Sequence, residues 1–170
     1  GFATLCGYLF AYTPLKTRTS LSTVVGAFPG AMPPLIGWVA ARGSLGIEAW
    51  ILFAILFLWQ FPHFLAIAWM YKDDYARAGI KMLPVVEPDC RFTSQQIISY
   101  TLMLIPVSML PTLVHITGPA YMACAFLLGI VFAYFSVRTA IVRTKWQARR
   151  LLQASVLYLP ALFVLMVLNP

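Results

Sequence analysis

Apolar residues come in blocks about as long as a bilayer is thick, with short polar segments between them. Runs able to cross a hydrocarbon core, about 20 residues each, occupy 21–41, 47–70, 96–115, 118–137 and 151–168. A further run, 1–12, is too short to cross and opens on Gly1 rather than Met. The chain is therefore expected to begin partway through a helix, and no signal or transit peptide can be assessed. This pattern predicts an all-α, polytopic transmembrane helical bundle of five complete spans plus one truncated span, in a single domain over 1–170. The first complete span carries a small face, Gly26, Gly30 and Ala31, that allows close helix packing in lipid. Pro29, Pro33 and Pro34 must kink or unwind it, since each lacks an N–H and crowds the preceding turn. Broken helices persist at membrane depth where they are buried in protein or line a cavity. A cavity wall and a tight helix seam both fit.

Composition agrees with a bilayer as solvent: 61% of residues are hydrophobic, 10% are charged and the mean hydropathy is +0.83. A soluble domain would be about 25% charged. If every span crosses, one side carries eleven of the twelve Lys and Arg residues, and Arg42 stands alone on the other. The positive-inside rule assigns the eleven to the cytoplasm, or to the matrix in a mitochondrion, and the C-terminus to the opposite side. The net charge of +7 sits in loops close to the membrane, so anionic headgroups of the lipid bilayer are the expected partner and nucleic acid is not. Cys6, Cys90 and Cys124 share no metal-ligand spacing and are expected to be structural. Segment 138–150 is expected to lie as a basic amphipathic piece on the inner surface. Tyr158 and Trp146 fit an aromatic belt, and His115 an interfacial position.

Candidate chemistry begins in the loop after the second complete span. Asp73, Asp74, Glu87 and Asp89 face Lys72, Arg77, Lys81 and Arg91 there, summing to zero. Such a loop suits a metal and an anion together, since Mg²⁺ takes one or two carboxylates plus phosphate oxygens and water. Adjacent aspartates on a helix end point roughly 100° apart, so one can bind metal while the other pairs with Lys72 or Arg77. A solvated loop with ion pairs such as Asp73–Arg77 fits equally well. His63 lies about 16 Å deeper than Asp74 along a continuous helix, with Gln60 and Trp59 sharing its face and Pro62 loosening the turn before it. Ionisable groups at this depth point to function. These side chains can bridge helices or meet a large planar ligand. On the same inner side, Lys16 and Arg18 stand among Thr13, Thr17, Thr19 and Ser20, a composition that suits a phosphate.

Together these segments resemble the haem O synthase (protohaem IX farnesyltransferase) branch of the UbiA superfamily of intramembrane prenyltransferases. The elements YTPLK and TRTS, the run GAFPGAMPPLIGW, WQFPHF and DDYARAGIKMLPV follow that family's order and spacing across essentially the whole chain. The resemblance implies transfer of the farnesyl group of farnesyl diphosphate to a vinyl group of haem B, giving haem O and diphosphate for terminal oxidases. It implies Mg²⁺ as cofactor, held by Asp74 with Asp73 behind it. Tyr12, Lys16, Arg18, Lys72 and Arg77 would hold diphosphate, with Asp73, Asp74, Lys16 and Arg18 as the catalytic group. His63, with Gln60 and Trp59, would meet the haem. Two departures stand out. The superfamily's first aspartate-rich motif is absent from the chain, and the second lacks its DxxxD form, with Arg77 and Ala78 at the fourth positions after Asp73 and Asp74. The 170 residues alone are expected to be inactive.

Two other functions remain open at this point: a UbiA-type prenyltransferase with an aromatic quinone-precursor acceptor, and a non-enzymatic transporter or scaffold. The expected location is a bacterial inner membrane with the active-site loops cytoplasmic, the alternative a mitochondrial inner membrane. A downstream haem-processing enzyme or oxidase assembly factors are the partners implied.

Overall fold

The computed structural model describes residues 22–87 and 89–169. Cys6, Tyr12, Lys16, Arg18 and the run 1–12 therefore lie outside the described residues. The first span is two helices, α1 (Ser22–Gly30) and α2 (Met32–Arg42), divided at Ala31. Pro33 and Pro34 cause the division. They stand in the first turn of α2, where a missing N–H is harmless, and withhold the donors that would have continued α1. Gly43 ends α2 in the left-handed region, φ 73°, which lets its N–H close on the Val39 carbonyl at 2.8 Å.

The second span, α3 (Ile47–Met70), runs unbroken through Pro62. Two short helices follow, α4 (Lys72–Arg77) and α5 (Leu83–Val86). Three long helices complete the order: α6 (Arg91–Leu113), α7 (Pro119–Val142) and α8 (Lys145–Leu168). Five helical segments, counting α1 and α2 together from Val24, are long and apolar enough to cross a membrane. At about 1.5 Å per residue the 24-residue α3 exceeds a hydrocarbon core of about 30 Å.

Helix α3 packs on α6 and α8, and α7 packs on the same two, so the four close around one core. Ile55, Ile97, Leu104, Tyr121, Phe132, Leu151 and Leu162 fill it. α1 and α2 lean on α3. Hydroxyls inside the bundle find partners across helices, as a bilayer demands. Thr101 meets Ser136 at 2.9 Å, Ser108 meets the Tyr158 hydroxyl at 2.8 Å, and the Tyr121 hydroxyl donates to the Ser108 carbonyl at 2.9 Å. Large apolar side chains such as Leu127, Ile141, Leu157 and Val167 point outward, the arrangement lipid favours.

Three expectations need correcting. Helix α6 begins at Arg91 rather than 96 and ends at Leu113 rather than 115, while α7 continues to Val142 and α8 begins at Lys145. The far end of α6 stops inside its run, where His115 takes a left-handed conformation, φ 59°, and the Ile116 N–H closes on the Pro111 carbonyl at 2.9 Å. Elsewhere the apolar run marks only the part of a helix that suits hydrocarbon, and backbone bonding carries these helices into their polar ends. Segment 138–150 is consequently no separate surface piece. It is a tight hairpin in which Arg143 takes a left-handed conformation, φ 52°, and Thr144 caps α8 by accepting from the Gln147 N–H at 3.3 Å. Tyr158 belongs to the core, 2% exposed and beside Phe132, because Ser108 satisfies its hydroxyl. Trp146 is exposed, with the Arg150 guanidinium 3.7 Å over its ring.

The antiparallel order gathers charge at one end of the bundle. The α3–α6 loop and the α7–α8 hairpin touch there, Arg143 Nη1 approaching the Asp89 carbonyl at 3.5 Å. Nine of the ten basic residues among those described stand at or near that end. Arg42 ends α2 at the other end. Asn169, just past the end of α8, is tied there to the α6–α7 turn, with the Gly118 N–H donating to the Asn169 carbonyl at 2.9 Å and the Tyr121 N–H to Asn169 Oδ1 at 3.0 Å.

Candidate functional site

At the charged end, α3 gives way to α4 at Tyr71, whose N–H still bonds the Ile67 carbonyl at 3.0 Å. Asp73 and Asp74 occupy the first turn of α4, where the positive end of the helix dipole favours carboxylates. The two point to different partners. Asp74 pairs with Arg77 one turn on. Asp73 Oδ2 meets Lys145 Nζ at 2.6 Å, tying the loop to the start of α8. The hydrogen bond from Lys145, then its charge, holds the Asp73 carboxyl below the usual carboxylate range against an opposing desolvation, with Lys72 and Arg77 adding to the lowering. The sequence suggested Asp73–Arg77 as an ion pair; Arg77 instead takes Asp74, and Asp73 reaches a cation 72 residues away. Nothing in sequence spacing marks Lys145.

Glu87 serves a structural end. Its carboxylate accepts from the Phe92 N–H at 2.7 Å, the Thr93 N–H at 3.0 Å and the Thr93 hydroxyl at 3.4 Å, closing the exposed start of α6. Desolvation pushes its carboxyl upward, but these donors outweigh it and leave the group below its ordinary range. No group of three or more His, Cys, Asp or Glu side chains capable of holding a metal occurs among the described residues. Asp73 and Asp74 supply the hard oxygen donors that suit Mg²⁺, and each would exchange an ammonium or guanidinium partner for the ion. The remaining ligands would come from phosphate oxygens and water.

Deeper in the bundle, the polar residues of α3 divide between two neighbours. His63 Nδ1 lies 2.9 Å from the Ser155 hydroxyl of α8, and Trp59 Nε1 donates to the Ser155 carbonyl at 2.8 Å. The indole and imidazole stack, centroids 4.6 Å apart at 23°. Gln60 turns to the first span instead. Its Nε2 donates to the Ala27 carbonyl at 3.2 Å and to the Leu56 carbonyl of its own helix at 3.1 Å. Residues three apart sit about 60° from one another around a helix, enough to send Gln60 to α1 while Trp59 and His63 face α8. Gly30 makes this approach possible, because a side chain there would run into the Gln60 amide. Trp59 and His63 thus share one site, and Gln60 anchors the kinked span beside it. Nothing in the sequence singles out Ser155, one small hydroxyl residue in an apolar helix.

By its fold the chain is a polytopic helical membrane protein, with paired aspartates on a short helix at its charged end and a histidine within its spans. The chain belongs to the UbiA prenyltransferase family, whose family model matches residues 1–166. Its curated relatives include the protoheme IX farnesyltransferase of Solibacter usitatus, 60% identical over 169 residues that cover 99% of this chain and 58% of that protein. The protoheme IX farnesyltransferase of Koribacter versatilis is 52% identical, over 95% of this chain and 54% of that protein. That of Salinibacter ruber is 48% identical, over 95% and 57% respectively. The chain therefore spans a little over half the length of these relatives. No solved structure matches it.

Proposed function

We propose that the full-length protein joins the farnesyl group of farnesyl diphosphate to a vinyl group of haem B. Water adds to the vinyl group, diphosphate leaves and haem O results. The observation that carries this reading is the 60% identity, across 99% of the chain, to a protein named protoheme IX farnesyltransferase. The chemistry needs two unlike environments, and the bundle offers both. Diphosphate is a poor leaving group until cations neutralise its developing charge. Lys72, Arg77 and Lys145 stand at the charged end with Asp73 and Asp74, and Tyr12, Lys16 and Arg18 are assigned to the same task. Mg²⁺, when bound by Asp73 and Asp74, would add Lewis-acid neutralisation of the diphosphate. The farnesyl chain and the porphyrin both partition into lipid, and an allylic cation requires a dry, aromatic surface such as the Trp59 indole provides.

His63 faces the haem in this reading, with Trp59 stacked on it and Gln60 holding the neighbouring span. The charged end lies in the cytoplasm of a bacterium, following the nine-to-one basic asymmetry of the described residues. The test is a reconstitution of the full-length protein with farnesyl diphosphate, haem B and Mg²⁺, followed by mass spectrometry for haem O and an assay of released diphosphate. Asp74→Asn should lower turnover at least about 100-fold, the scale of losing one preorganised charge-stabilising group. Diphosphate release that appears only with an aromatic quinone precursor would replace haem as the acceptor. No release with any acceptor would overturn the enzyme reading altogether.

A further inference from the structure

Ser155 is fully buried and serves two rings of another helix at once. Its hydroxyl lies 2.7 Å from the Leu152 carbonyl, one turn earlier in α8, and 2.9 Å from His63 Nδ1. A carbonyl only accepts, so the single hydroxyl proton is directed to Leu152. The contact with His63 then needs its proton from the imidazole. That fixes hydrogen on Nδ1 and leaves the Nε2 lone pair unprotonated. Among the described residues Nε2 has no protein partner, and the half-buried ring is not turned wholly into the core. An unpaired nitrogen is costly inside an apolar span unless a ligand takes it.

We propose that Ser155 is a positioning residue: anchored on the Leu152 carbonyl, its hydroxyl holds His63 as the Nδ1–H tautomer and presents Nε2 to the iron of the haem substrate. This rests on the haem reading of the site. Histidines that bind metal through one nitrogen commonly donate from the other to a fixed acceptor, which sets ring angle and basicity. Trp59 completes the clamp by bonding the Ser155 backbone and covering one imidazole face.

Two measurements on the full-length protein in lipid nanodiscs test it. In the haem-free protein, ¹⁵N shifts of labelled histidine should show His63 with a protonated Nδ1 and a bare Nε2; the opposite tautomer overturns the proposal without touching the haem reading. In titrations with haem B, followed by the Soret band and by the iron–histidine stretch of the ferrous complex, Ser155→Ala should weaken binding about 10–100-fold and lower the stretching frequency. Ser155→Thr, which keeps the hydroxyl, should restore both. Thermal melting of each variant separates these effects from loss of fold. If His63→Ala abolishes the spectrum while Ser155→Ala leaves affinity and stretch unchanged, Ser155 has no such role. If the wild-type protein shows no haem spectrum, or His63→Ala does not alter it, the haem-ligand reading itself fails.

Discussion

The contact between Gly30 and Gln60 makes a sharp quantitative test of how the kinked span is held. A Cβ at position 30 would occupy the space of the Gln60 side-chain oxygen, and its next-nearest neighbour is the amide carbon at 3.3 Å. The obstacle is the far end of a flexible side chain, so Gly30→Ala should displace the amide rather than the backbone. The displaced group loses its bond to the Ala27 carbonyl, 3.2 Å long and 4% exposed at the glutamine. Interhelical hydrogen bonds inside membrane proteins contribute about 0.6 kcal/mol on average and up to about 1.7 kcal/mol. Burial puts this one toward the upper end, so Gly30→Ala should cost about 1–1.5 kcal/mol. In a Gln60→Ala background the obstacle and the bond are both gone. Alanine, the better helix former, should then be neutral or stabilising by a few tenths of a kcal/mol. The coupling in a double-mutant cycle is therefore about 1–2 kcal/mol, well above the roughly 0.3–0.5 kcal/mol within which independent sites add. Unfolding of the four proteins in mixed lipid–detergent micelles measures it. Equal effects of Gly30→Ala in both backgrounds would refute the argument that Gln60 holds the first span through Ala27.

Three further outcomes follow from the charged end. The folded pKa of Asp73 is depressed below the ordinary 3.8 by Lys145, so the tether is at full strength above that value and is lost as pH falls through the lowered folded one. Spin-label distances between positions 76 and 149 should stay constant from pH 8 to about pH 5 and lengthen only below the ordinary carboxylate range; lengthening near neutrality would contradict the pairing. Lys145→Asp should open the loop at neutral pH, and adding Asp73→Lys should close it again. Glu87→Ala removes the acceptor from the Phe92 and Thr93 N–H groups and should lower stability by about 1 kcal/mol, as loss of a helix cap does. Hydrogen exchange should then quicken in the first turn of α6 alone, and unchanged protection there would argue against the cap.

The proposed reaction places unlike demands on the middle of α3 and on its charged end. Its middle meets the kinked span through Gln60 and presents Trp59 and His63 to α8, and its charged end hands the chain to Asp73 and Asp74. One 24-residue helix thereby connects the proposed haem and diphosphate sites. A rigid connection of this kind suits a reaction whose acceptor is buried in lipid and whose leaving group departs into water.

Much of this was written in the amino-acid order. The five crossings, the break forced by Pro33 and Pro34, and the collection of basic residues at one end follow from apolar length, from a ring that lacks an N–H, and from charge that cannot enter hydrocarbon. Each is a local or a solvent property, so one dimension suffices. Partner choice is different. That Asp73 takes Lys145 rather than Arg77, that Tyr158 is a core residue rather than an interfacial one, and that Ser155 lies against His63 depend on contacts between residues 72, 50 and 92 positions apart. Spacing along a helix limits the directions in which a side chain can point. Only the packing of α8 into the bundle, against α3 and α7, decides which donor or acceptor it meets there.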